Sequence, residues 1–192
     1  MLKFFSRTIL KVIGWKLIGN PPQEKKFVAI GVPHTSNWDF PVALLCFSAL
    51  GLRFNWVAKE SLFKGPLKYI FKWIGGIPLN RRSPTGFLKD MAAIYARSES
   101  LVIAIAPEGT RSKTDYWMPG FYYIANEAKV PIVLAFADYS KKTMGIAGIV
   151  HPTGDIEADF EKIKKFYEGK KGKNPETQSE LKIRTSRAIK SS

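Results

Sequence analysis

Cysteine and histidine are almost absent from this chain, with one Cys and two His in 192 residues. A single thiol excludes an intramolecular disulfide framework. Cys46 sits in the apolar run Val42-Ala43-Leu44-Leu45-Cys46-Phe47, which suits a small buried side chain better than a nucleophile. One Cys and two His are too few soft ligands for a zinc site, so no metal is expected. Long apolar runs are missing as well. The longest, residues 40–52, is broken by Ser48 and Gly51 and falls short of the roughly 18 residues of a membrane span. The N-terminus has no small-residue cleavage site of the signal-peptide kind. Acidic residues are scarce: 16 Asp and Glu stand against 30 Lys and Arg, a net charge of +14. Such an excess points to an anionic partner, whether nucleic acid, anionic lipid or a phosphorylated substrate. No nucleic-acid-binding motif accompanies it, and the basic residues gather at the two ends rather than interleaving with aromatics along one face. A nucleic-acid partner is therefore not expected.

The chain is 45% hydrophobic, enough for one domain with a sizeable core. Near the N-terminus, Lys3, Arg7 and Lys11 recur every fourth residue, while Phe4, Phe5, Ile9, Val12, Ile13 and Trp15 fill most of the remaining surface. Residues 1–20 are expected to form an amphipathic helix at an anionic membrane surface. A linker, Asn20 to Lys26, leads into the apolar run Phe27-Val28-Ala29-Ile30-Gly31-Val32, a buried strand. Further strands are expected at 54–58, 76–79, 101–106, 130–137 and 145–150. Helices are expected at 40–51, 59–73 with an interruption at Gly65-Pro66, 85–98, 121–128 and 155–168. This alternation predicts an α/β fold, a mixed β-sheet flanked by helices, over residues 27–169. Residues 170–192 read as a basic, polar, partly mobile tail.

Sites in such folds form in loops at strand ends, and three loops carry reactive side chains. After the strand at 27–33 come His34 and Asp39, with four residues between them. A strand-end histidine with a carboxylate close enough to orient it can act as a general base. Asp39, followed by Phe40 and Pro41, also reads as a helix N-cap, and the two roles are compatible. After the strand at 76–79 come Arg81 and Arg82, whose guanidinium groups match phosphate oxygens bidentately. After the strand at 101–106 come Glu108, Gly109, Thr110 and Arg111, which combine a carboxylate, a flexible turn and a cation. Backbone amides near Gly109 could meet developing negative charge. His151 reads as part of a loop before a capped helix and is assigned no chemistry.

Together these blocks resemble the glycerolipid acyltransferase family, the lysophosphatidic acid acyltransferases and their relatives. His34 and Asp39 match its H-x-x-x-x-D signature. Gly75-Gly76-Ile77-Pro78-Leu79-Asn80-Arg81 is similar to its second block, Pro107 to Ser112 to its third, and Val130-Pro131-Ile132-Val133 to the start of its fourth. The resemblance runs from about residue 27 to about residue 139. Ala106 stands where the family usually has Phe, Leu134 where a second Pro is common, and Asn80 where Asp is frequent. The resemblance implies a glycerol-3-phosphate acyltransferase-like fold and an O-acyltransferase activity. The donor would be an acyl thioester, acyl-CoA or acyl carrier protein, with no other cofactor. The acceptor would be a lyso-lipid hydroxyl such as that of 1-acyl-glycerol-3-phosphate. Other implied outcomes are a lyso-aminolipid or another alcohol or amine as acceptor, or a non-catalytic basic membrane-surface module. His34 and Asp39 would be catalytic. Arg81, Arg82, Glu108, Gly109, Thr110 and Arg111 would bind substrate. No covalent acyl-enzyme is expected, because no nucleophile sits at a recognisable elbow. The resemblance also implies a peripheral protein at the cytoplasmic face of a membrane.

Overall fold

Phe27, Val28, Ala29 and Ile30 are four consecutive residues with at most 1% of their surface exposed. Such a run belongs to a strand covered on both faces. In the computed structural model, which describes residues 2–59, 63–79 and 84–184, this strand is β2 (Lys26–Val32), at the centre of a seven-stranded sheet. The other strands are β1 (Lys16–Ile18), β3 (Asn55–Lys59), β4 (Gly76–Leu79), β5 (Leu101–Ile105), β6 (Ile132–Asp138) and β7 (Thr143–Val150). Their order is β1-β7-β6-β2-β5-β3-β4. Only the β6–β7 hairpin is antiparallel; the remaining neighbours are parallel. The sheet is therefore mixed, as expected.

Alternate residues of the strands feed two cores. Val28, Ile30, Ile103 and Ile132 face one side and pack under α4 (Pro84–Arg97), α5 (Gly120–Ala128) and α6 (Ile156–Tyr167). Phe27, Ala29, Val102 and Val133 face the other and meet α1 (Leu2–Val12) and α2 (Asp39–Leu50). A short α3 (Lys68–Trp73) precedes β4. Cys46 is buried among these apolar side chains, and burial pushes its thiol pKa up to about 12. Such a thiol is inert at neutral pH.

Three features depart from the sequence-based expectation. The amphipathic helix ends at Val12, and residues 16–18 form an edge strand instead of continuing the helix to residue 20. Only two residues of α1, Ser6 and Leu10, are buried, while Leu2, Phe4, Phe5 and Val12 remain more than 60% exposed. β1 was missed because three residues are too short for a periodic signal, and its pairing depends on glycine. A side chain on Gly19 would meet the Ile146 carbonyl, and one on Gly145 the Ile18 carbonyl, both within 1.8 Å. The third departure is the tail. Residues 170–184 run back across the ends of the central strands. Tyr139 N–H donates to the Lys171 carbonyl, Trp117 N–H to Lys182 and Arg184 N–H to Trp117. The hydrophobic residues Leu181 and Ile183 in this segment join the core under α4–α6. Residues 185–192 lie outside the described residues.

Tyr167, at the end of α6, is 1% exposed, and its hydroxyl lies 2.9 Å from the carbonyl oxygens of both Ile30 and Ala135. It ties α6 to the two central strands. Tyr167→Phe is expected to lower folding stability by about 1–3 kcal/mol, the usual cost of leaving buried acceptors without their donor. Urea unfolding measures it.

Candidate active site

β2 ends at Val32, and the chain turns at once into Pro33-His34-Thr35-Ser36. His34 Nδ1 lies 3.2 Å from Asp39 Oδ2. The same oxygen accepts from Thr35 N–H and Ser36 N–H, each at 2.8 Å. Asp39 Oδ1 accepts from the Tyr139 hydroxyl, also at 2.8 Å. Burial works to raise the Asp39 pKa, but hydrogen bonds from His34, Ser36, Tyr139 and Thr35 outweigh it and hold the carboxyl below its ordinary value. Asp39 is thus an anion at neutral pH, and it fixes the imidazole by Nδ1. Nε2 is left as the nitrogen that can take a proton from a substrate. The side chain of His34 is 24% exposed, so it can be reached. Asp39 does not cap α2: it is the first helical residue, after Trp38, and its carboxylate folds back onto the preceding turn.

The loop after β5 approaches from the neighbouring strand. Glu108 is 3% exposed, and its two oxygens lie 3.1 and 3.2 Å from the backbone N–H of His34. Burial pushes its pKa up to about 7, against the partial relief of the His34 contact. Its carboxylate is turned inward onto the His34 turn. Gly109 adopts φ +70°, a left-handed conformation that favours glycine, and its N–H donates to the Ala106 carbonyl at 3.1 Å. That amide closes a turn and is not free to meet an oxyanion. Gly109, Thr110 and Arg111 line a cavity of about 930 Å³ that has His34 and Asp39 in its wall. Phe40, Phe47, Phe54, Trp56, Phe121 and Phe136 make much of the rest of that wall apolar. The predicted pair Arg81 and Arg82 lies outside the described residues. His151 is exposed at the end of β7. Among the described residues no three His, Cys, Asp or Glu side chains gather into a metal-holding cluster.

Sequence reading missed three contributors. Tyr139 reaches Asp39 from the turn after β6, and Trp15 packs edge-on against its ring at 5.0 Å. Asn174 holds the turn itself: its N–H donates to Thr35 Oγ1 at 3.1 Å and its side-chain amide to the Thr35 carbonyl at 3.0 Å. Nothing in local spacing signals partners separated by 100 and 139 residues.

A histidine oriented by a half-buried carboxylate and opening on an apolar cavity is equipped to deprotonate a hydroxyl beside an apolar chain. The acyltransferase family model matches residues 17–135, more than half of the chain. The chain belongs to the acyltransferase family. Its fold is similar to the crystal structure of the 1-acyl-sn-glycerophosphate (LPA) acyltransferase PlsC from Thermotoga maritima. The TM-score is 0.55 at 19% identity, over 84% of this chain and 73% of that one. No curated protein matches it in sequence. The family match contains His34, Asp39 and Glu108, but it ends before Tyr139 and Asn174. This acyltransferase therefore braces its dyad with residues beyond the matched region.

Two substitutions check this geometry. Tyr139→Phe removes one donor from the Asp39 carboxylate, and kcat is expected to fall about tenfold with KM in place, in line with the value of a hydrogen bond to a charged group. For Glu108 the folded pKa of about 7 lies above the ordinary 4.5. Its stabilising contribution is therefore complete below the lower value and lost as pH rises through the higher one. Glu108→Gln does not titrate. The stability of the wild type relative to this variant is expected to fall by up to about 3 kcal/mol between about pH 5 and about pH 8. Urea titrations at the two pH values read the difference.

Proposed function

We propose that this acyltransferase moves a fatty acyl group from an acyl thioester to the hydroxyl of a lysophospholipid-type acceptor such as 1-acyl-glycerol-3-phosphate. The observation that carries the proposal is the His34–Asp39 pair in the wall of a large apolar cavity. Its volume lies within the range of pockets that bury a small ligand. His34 Nε2 takes the acceptor's hydroxyl proton as the oxygen attacks the thioester carbonyl. The C–S bond of the tetrahedral adduct then breaks, and the imidazolium returns its proton to the departing thiolate. Asp39 stabilises the imidazolium between the two transfers. The electrons and protons balance with no cofactor beyond the acyl-CoA or acyl carrier protein donor. General-base catalysis of this kind contributes about 10²–10⁴-fold, and positioning of the two substrates in the cavity supplies further acceleration.

Arg81 and Arg82 follow β4 and are assigned to the acceptor's phosphate, with Thr110 and Arg111 at the cavity wall. The exposed apolar side chains of α1, beside Lys3, Arg7 and Lys11, support peripheral attachment to an anionic membrane on the cytoplasmic side, where thioester donors are found. No helix among the described residues is long and apolar enough to cross a membrane.

The test is a product assay by mass. Labelled acyl thioesters are offered with a panel of lyso-phospholipids, a lyso-aminolipid and simple alcohols. Transfer to the phosphorylated lyso-lipid is expected, and His34→Ala should reduce its rate about 10²–10⁴-fold with an unchanged circular dichroism spectrum. An undiminished rate in His34→Ala removes the mechanism. Preference for the lyso-aminolipid moves the acceptor assignment, and thioester left intact by the wild type rules out catalysis.

A further inference from the structure

The helices divide unequally between the two faces of the sheet. α3 belongs with α1 and α2: the ring of Phe71 stands edge-on to Trp56 at 5.9 Å, and Trp56 packs into the core beneath those two helices. Across α1, α2 and α3 the sole acidic residue is Asp39. Across α4, α5 and α6 there are five: Asp90, Glu127, Glu157, Asp159 and Glu161. Large apolar side chains follow the same division. Among the described residues, α4, α5 and α6 leave only Tyr123 exposed, whereas α1 exposes Leu2, Phe4, Phe5 and Val12, and α3 exposes Tyr69, Ile70 and Trp73. α2 carries no charge from Phe40 onward, yet only Cys46, Phe47, Ala49 and Leu50 of it are buried. A helix apolar all round is one that something covers, and α1 covers α2 only in part, where Ser6 meets Ser48 and Arg7 meets the Ala49 carbonyl.

The inner side of α3 is fixed. Trp56, Phe63 and Phe71 form an aromatic cluster beneath it, and Trp56 Nε1 donates to the Ile74 carbonyl at 3.1 Å. The outer side is bare. Helical geometry puts Tyr69, Trp73 and Ile70 in one arc of about 100°, with Lys68 and Lys72 along its border. Trp73 is 87% exposed. From Ser61 to Lys89 the sequence has no acidic residue, and Lys64, Lys68 and Lys72 recur every fourth position. An apolar arc bordered by lysines, with two aromatic side chains whose polar tips can stay wet, fits the headgroup boundary of an anionic bilayer. α1 runs into β1 and α3 into β4, the two edge strands of the sheet. Resting on the reading that this enzyme works at a membrane, we propose that α3 is a second membrane-binding element at the opposite edge from α1. It inserts Tyr69, Ile70 and Trp73 at the headgroup boundary and sets Lys64, Lys68 and Lys72 against anionic lipid phosphates. Trp56 also lines the catalytic cavity, so this element adjoins the cavity's apolar wall.

Co-sedimentation of the full chain with phosphatidylglycerol vesicles and with phosphatidylcholine vesicles tests this. Tyr69→Ser with Trp73→Ser is expected to weaken binding to the anionic vesicles at least about tenfold. Lys68→Gln with Lys72→Gln is expected to weaken it about fivefold per charge removed and to leave phosphatidylcholine binding unchanged. Tyr69 and Trp73 are exposed, and circular dichroism checks that the pair leaves the fold intact. Position is read separately. Phosphatidylglycerol brominated in its acyl chains quenches tryptophan emission. Trp73→Phe keeps an apolar side chain, so it is expected to bind as the wild type does with much of that quenching lost. The inference is overturned if Tyr69→Ser with Trp73→Ser binds as the wild type does, or if Trp73→Phe is quenched in full. It is also overturned if sedimentation velocity finds a dimer that the serine pair dissociates, which assigns the face to a second copy. Phe4→Ser with Phe5→Ser separates the two elements. Weakening by the α1 pair alone keeps the membrane reading and overturns the role of α3. Weakening by the α3 pair alone keeps α3 and removes α1, and a wild type that binds neither vesicle overturns both.

Discussion

Asp39 holds an ionised carboxylate away from bulk water, and an anion so placed must be surrounded by donors or it takes up a proton. Its four donors come from separate parts of the chain. His34, Thr35 and Ser36 belong to the turn after β2, whereas Tyr139 follows β6. Two of these donors are braced in turn. Trp15, just beyond α1, packs on Tyr139; Lys171 accepts from the Tyr139 backbone; Asn174 secures Thr35. The N-terminal segment, the central strands and the C-terminal segment thus meet around one negative charge.

A second carboxylate lies close by and behaves differently. Glu108 is met chiefly by the His34 amide, so burial dominates and its pKa rises, while Asp39, with four donors, has its pKa lowered. One acid secures the backbone of the His34 turn and the other the imidazole. Their opposite shifts follow from counting donors. Glu108 therefore acts through the His34 backbone, and the cavity wall is left to Gly109, Thr110, Arg111 and the aromatic side chains.

What the sequence revealed was local. The buried runs of β2, β5 and β6 and the periodicity of α5 and α6 are visible along the chain, because each depends on neighbours a few residues away. His34 and Asp39 were readable for the same reason. The direction of the Glu108 side chain was not, because it depends on β5 lying beside β2. Neither was the edge strand β1, which needs Gly145 on a strand more than 100 residues later. The lysine-rich composition of residues 170–184 suggested solvent exposure, yet its fixed points are Gly172, Asn174, Leu181 and Ile183, which composition does not weigh.

The placement of Asn174 also has a consequence for the order in which the protein is made. Translation delivers the motif blocks before the segment that secures them. A nascent chain that has emerged only to Glu168 already contains His34, Asp39, Glu108 and Tyr139, but Thr35 has no partner from Asn174 and the Tyr139 amide none from Lys171. The His34 turn acquires this support only once residues 171–174 have emerged, so a chain cut before them can carry every recognisable block of the family without the brace that secures Thr35 and Tyr139.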